Sequence, residues 1–190
     1  MLEVLLVRLR FSFQTLLTYE LLKHTLNMPL KKTKSDKPVS SYTLNLSVQY
    51  ATATQNLPSK YLLRRWTRAA MEQNIVLTIR IVGEEEARVL NRDYRGKDYA
   101  TNVLTFEYGA PFNEQPLMGD IVLCAPVVEK EAQAQNKTLK AHYAHLTVHG
   151  VLHMQGYDHI KINDAKKMEA LEIAILASLK IDNPYKEQDL

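Results

Sequence analysis

The chain has 190 residues, 46% hydrophobic and 24% charged, which fits one medium folded domain and excludes a collagen-like or wholly disordered chain. A single cysteine, Cys124, excludes an intrachain disulfide framework and a Cys-based zinc cluster. The net charge of +3 is uneven: residues 1–42 hold seven basic and three acidic residues (+4), and residues 43–190 hold seventeen and eighteen (−1). Any nucleic acid bound by the body of the protein must therefore meet a local patch rather than a global positive field.

Residues 1–27 are leucine-rich but interrupted by Glu3, Arg8, Arg10, Glu20 and Lys23, so no uncharged run approaches the roughly 20 residues of a membrane span. The stretch that follows, with Lys31, Lys32, Lys34, Lys37 and two prolines, reads as a basic linker. The expected division is a mobile extension over 1–41 and a single domain over 42–190.

Alternation over Thr43–Tyr50 predicts a half-buried strand. Pro58 opens a helix with Leu62, Leu63, Trp66, Ala69 and Ala70 at helical spacing. The β-branched run Ile75–Val82 predicts a second strand. Glu84, Glu85 and Glu86 suit the positive end of the next helix, lined inwardly by Ala87, Leu90 and Tyr94. Val103–Tyr108 and Ile121–Cys124 are further strands, the second preceded by Gly119 and Asp120, and Cys124 is expected to be buried and inert. Helices follow from about Val127, from Thr138 to Met154, and after a cap at Asn163 or Asp164. The expected fold is α+β, a small mixed sheet packed with helices.

Five of six histidines fall within eighteen residues: His142, His145, His149, His153 and His159. At about 100° per residue, the first four share roughly 80° of helix surface. His149 and His153 lie one turn apart and can reach one metal ion. Gly156 can end the helix and reverse the chain, bringing His159 back to that pair. Three imidazoles leave a fourth tetrahedral position open, the plan of a catalytic rather than a structural zinc site. Zinc suits this donor set best, although nickel, copper and iron accept it too. The spacing equals that of the extended zinc-protease motif, but Gly150 stands where those enzymes carry their glutamate base. That counts against a metallopeptidase.

The segment His149-Gly-x-Leu-His153-x-x-Gly156-Tyr157-Asp158-His159 resembles the signature of the YbeY family, metal-dependent endoribonucleases of ribosomal RNA maturation. Upstream, Leu90-Asn91-x-x-Tyr94-Arg95-Gly96-Lys97-Asp98, Thr101-Asn102-Val103-Leu104-x-Phe106 and Gly119-Asp120-Ile121 extend the likeness. It covers roughly residues 43–185, including the closing Asp182-Asn183-Pro184-Tyr185, with Thr105 and Glu107 where serine and proline are usual. The resemblance implies a zincin-like metal hydrolase with His149, His153 and His159 as zinc ligands and a functional Arg95. It implies cytoplasmic work on single-stranded ribosomal RNA precursors, in small-subunit maturation and ribosome quality control. It also implies partners among small-subunit ribosomal proteins and assembly GTPases. The alternatives are a metallopeptidase and a non-catalytic RNA or ribosome assembly factor with a structural metal.

Arg95 sits where a helix gives way to a turn, and its planar fork suits phosphate. Lys60, Arg64 and Arg68 recur every fourth residue and, with Lys97, are candidates for contact with an RNA backbone; a solvated helix face explains them equally well. His145, Asp120 and Asp158 are candidates for proton transfer or for orienting the ligands.

Overall fold

The computed structural model describes residues 42–108 and 115–186. The expectation of a mobile extension over 1–41 lies outside the described residues.

Four strands and five helices make up the described chain: β1 (Leu44–Ala51), α1 (Lys60–Ala70), β2 (Ile75–Val82), α2 (Glu84–Arg95), β3 (Val103–Glu107), β4 (Leu117–Cys124), α3 (Ala125–Ala134), α4 (Leu139–Met154) and α5 (Ile162–Ser178). The sheet order is β1-β2-β4-β3. β1, β2 and β4 run parallel, with Leu44 opposite Ile75 and Ile75 opposite Leu117. β3 is an antiparallel edge strand, Thr105 opposite Ile121. The sheet is mixed, as expected, although β1, α1 and β2 do form one strand–helix–strand crossover of the kind parallel strands require.

Because successive strand residues point to opposite faces, β2 and β4 feed two apolar layers. Ile75, Leu77, Ile79, Ile81, Ile121 and Leu123 pack with Leu63 and Trp66 of α1, with Tyr143, Val148, Val151 and Leu152 of α4, and with Met168 and Leu176 of α5. On the opposite face Val82, Val122 and Cys124 meet Leu104 of β3 and Ala87 and Leu90 of α2. Leu63 and Leu152 are fully buried, each contributing about 1.5–3 kcal/mol relative to exposure. Cys124 is buried as expected.

The helix ends follow local chemistry. Ser59 Oγ accepts the Leu62 amide at 3.4 Å to start α1, and Thr138 Oγ1 accepts that of Ala141 at 3.2 Å to start α4. Gly96 ends α2 in the left-handed conformation at φ 68°.

Five sequence expectations need correction. Pro58 precedes α1, which Ser59 caps, and Tyr94 of α2 is exposed while Asn91 is buried with Ala87 and Leu90. Gly119 and Asp120 lie inside β4 rather than ahead of it, because pairing with β2 begins at Leu117. α3 starts at Ala125, with Pro126 in its first turn. α5 starts at Ile162 with Lys161 in the cap position and no side-chain cap bond. The Ala165 amide already bonds the Lys161 carbonyl at 2.8 Å, so Asn163 and Asp164 fall within the first turn, where Asp164 faces the helix dipole.

Candidate metal centre

α4 crosses beneath the β3–β4 edge closely because residue 150 has no side chain. A Cβ there would lie 2.8 Å from Ile121 Cδ1 and 3.1 Å from Thr105 Oγ1. His149 and His153 leave the helix one turn apart, half-buried, with ring centroids 4.5 Å from each other. The helix then ends as the glycine predicts. Gly156 takes φ 88°, and the Tyr157 amide returns to the Leu152 carbonyl at 3.1 Å.

The loop beyond is fastened to α1. Gln155 Nε2 donates to the Ala70 carbonyl (2.8 Å), Gln155 Oε1 accepts the Glu72 amide (2.6 Å), and the Tyr157 hydroxyl donates to the Glu72 carboxylate (3.1 Å). Asp158 Oδ1 accepts the amide of His159 at 2.7 Å, tightening the turn. The result is that His159, exposed, stands 5.4 Å from the His149 ring and 4.9 Å from that of His153. One ligand atom from each of the three lies within 4.8 Å of the others.

The donor set fits a metal ion. His149 Nδ1 lies 2.8 Å from Glu172 Oε1, so an ionised Glu172 fixes the proton on Nδ1 and leaves Nε2 with its lone pair. Burial, then the neighbouring His149 and His159, push His153 down to about 4. It is therefore neutral at pH 7, the state in which imidazole ligates.

Glu172 is a residue of this cluster that sequence reading missed. It is fully buried on α5 and also faces His145 Nε2 at 3.0 Å and the Tyr185 hydroxyl. Burial alone would raise its carboxyl, but the bonds from His145, His149 and Tyr185 hold it down to about 2. The available signal was a glutamate between Met168 and Leu176 on an otherwise apolar stripe.

The three histidines open into a cleft of about 850 Å³ that runs along β3 from Val103 to Tyr108 and on to Leu90, Tyr94 and Arg95 at the end of α2. Asp120 and Asp158 also line it. Asp120 is fully buried and accepts a hydrogen bond from the Tyr108 hydroxyl. Burial, then the Asp120 charge, raise the Tyr108 phenol far above its ordinary value, so it stays a donor. His145 lies off the cleft wall, on Glu172, and His142 pairs with Glu131 at 2.8 Å. Lys97 and the α1 residues Lys60, Arg64 and Arg68 are likewise outside the cleft lining; Lys60, Arg68 and Lys97 are exposed and Arg64 is half-buried. No helix among the described residues is long and apolar enough to cross a membrane.

Fold and cluster together define a three-histidine candidate metal centre on an α+β scaffold. The model of one family, described as endoribonuclease YbeY, matches residues 45–180, and the chain belongs to the YbeY family. It is 51% identical over 161 residues to the endoribonuclease YbeY of Nitrosomonas europaea, covering 85% of this chain and 96% of that one. It is 57% identical over 154 residues to that of Nitrosospira multiformis, covering 75% and 82%. With the Polaromonas naphthalenivorans protein of the same name, identity is 60% over 129 residues, 67% and 83% of the two chains.

Proposed function

We propose that this chain is a metal-dependent endoribonuclease that cleaves single-stranded ribosomal RNA precursors during small-subunit maturation and ribosome quality control. The observation that carries this reading is the placement of Arg95 and the three histidines in one cleft, in a chain of the YbeY family.

His149, His153 and His159 are the proposed ligands, and zinc the proposed metal. When bound, such an ion supplies Lewis acidity and lowers the pKa of its water. Arg95 binds the scissile phosphate through its planar fork and offsets charge that grows on the phosphate oxygens. Glu172 orients His149. Asp120 is the proposed proton acceptor, with Tyr108 holding a hydrogen bond to its carboxylate. Asp158 is instead occupied by the turn that presents His159. His145 acts on Glu172 rather than on substrate.

Lys60, Arg64 and Arg68 form a track for RNA running along α1, whose end is fastened to the His159 loop, and Lys97 extends the basic surface beside Arg95. Residues 42–190 form the catalytic domain and 1–41 a dispensable extension. The work is cytoplasmic, and the partners are the RNA precursor, small-subunit ribosomal proteins and an assembly GTPase.

The test is cleavage of a single-stranded RNA by purified protein as isolated, after chelation and after zinc is restored. Internal cleavage that vanishes with chelator and returns with metal supports an enzyme. RNA binding without cleavage at full metal occupancy would instead make the chain an assembly factor with a structural metal.

A further inference from the structure

Glu172 belongs to α5, thirteen residues beyond the last proposed ligand, and its third hydrogen-bond donor comes from further still. α5 ends at Ser178, and Lys180 turns the chain at φ 61°. The Ile181 amide then bonds the Leu176 carbonyl at 2.9 Å. Pro184 is buried, its carbonyl accepting from Lys137 Nζ at 2.6 Å, and the Tyr185 amide is taken by Asn183 Oδ1 at 2.9 Å. These bonds hold the Tyr185 ring edge-on to His145, centroids 5.4 Å apart, with its hydroxyl on Glu172 Oε2.

A carboxylate removed from water needs its lone pairs filled. Here Oε1 takes the Nδ1 hydrogen of His149, while Oε2 takes those of His145 Nε2 and Tyr185. The buried His145 Nδ1 has no partner among the described residues. Its bare lone pair suits that position better than an N–H would, since an orphaned donor is the rarer case. Both tautomers therefore follow from one buried anion.

We propose that residues 181–186 are a working part of the metal centre: Tyr185 fixes the carboxylate of Glu172, and Glu172 fixes His149 as the Nδ1–H tautomer with Nε2 free for metal. This rests on the reading of His149, His153 and His159 as ligands. Tyr185 and Glu172 are positioning residues. Neither is a ligand.

The measurement is zinc affinity of the full chain by competition with a chromophoric chelator, together with the tautomer of His149 in metal-free protein from nitrogen-15 imidazole spectra. Removing a partner that orients a metal-binding histidine typically weakens metal affinity about 10- to 100-fold. Tyr185→Phe should fall at the low end of that range with the metal-free protein still folded, and Glu172→Gln further along it. His149 should be Nδ1-protonated in the unaltered chain and mixed in Glu172→Gln, a change that a purely structural role would not produce. If Glu172→Gln fails to fold, Tyr185→Phe decides alone, because it keeps the ring and loses only the hydroxyl. Unaltered zinc affinity in Tyr185→Phe would overturn the proposal. An unaltered chain that binds no zinc would overturn the ligand reading, and this inference with it.

Discussion

Arg95 and His149 face one cleft from opposite sides of the sheet. Arg95 ends α2, which packs on the Val82–Val122 face, and His149 stands on α4, which packs on the Ile121–Leu123 face. They meet because β3 is the edge strand, and the cleft wraps around it.

That arrangement separates phosphate binding from metal binding. Arg95→Ala should keep its full metal content, and its RNA turnover at limiting substrate should fall about 10- to 150-fold, the worth of a charge-assisted pair of roughly 1.5–3 kcal/mol. Unchanged turnover would remove Arg95 from the reaction.

Alanine in place of His149, His153 or His159 should each time abolish most bound zinc. Because a ligand that binds only the folded state raises the melting temperature, zinc should stabilise the unaltered chain and not these variants. His159→Ala is the cleanest case, since its side chain is exposed and its loss leaves no cavity. A zinc-induced melting shift of unaltered size in that variant would exclude it as a ligand.

Asp120→Asn and Asp158→Asn distinguish the two carboxylates of the cleft. Loss of turnover with metal retained is expected for Asp120→Asn. Asp158→Asn should keep most turnover, because an asparagine oxygen can still accept the His159 amide. The reverse pattern in a cleavage assay would transfer the proton acceptor to Asp158.

Away from the metal, Glu131 predicts a pH effect on stability. Burial opposes its ionisation, but bonds from His142 and Asn102 hold the carboxyl below its ordinary 4.5. A depressed folded-state value adds stability above the unfolded value and loses it as pH falls through the folded one. Glu131→Gln should therefore be less stable than the unaltered chain at pH 7, with the difference shrinking as pH falls below the ordinary glutamate value. Denaturant melts across pH 3–7 check this; a constant difference would show that the Glu131 charge contributes nothing.

A chain beginning at Tyr42 should fold with little change in melting temperature, because the sheet and its helices bring together two buried apolar clusters of their own. Aggregation or a large drop in melting temperature would show that residues 1–41 pack on the body.

The sequence made the centre legible wherever the chemistry was local. The His149–His153 spacing needs only helix geometry, and Gly156 announces the reversal that returns His159. Strand periodicity located β1, β2 and β3 to within a residue or two. Glu172 escaped because its histidine partners are contributed by another helix: the α4–α5 contact that joins it to His149 spans 23 residues and leaves no periodic trace. Asp120 was visible as a candidate, but its bond to Tyr108 depends on the β3–β4 register, in which Phe106 is its opposite. The cap misplaced at Asn163 or Asp164 reflects the weaker claim of side-chain caps when backbone bonding begins earlier.

Gly150 bears on what this scaffold could become. A glutamate there would restore the base that zinc peptidases carry, a change of one residue. Its first side-chain carbon, however, would press on the fully buried Ile121 and on Thr105, and overpacking of this kind costs about 1–3 kcal/mol. In this chain a glutamate at 150 is thus opposed by how near the helix rides to the sheet. A glutamate at 150 would be accommodated only with coordinated change at 121 and 105, so the single substitution by itself is a poor route to that base.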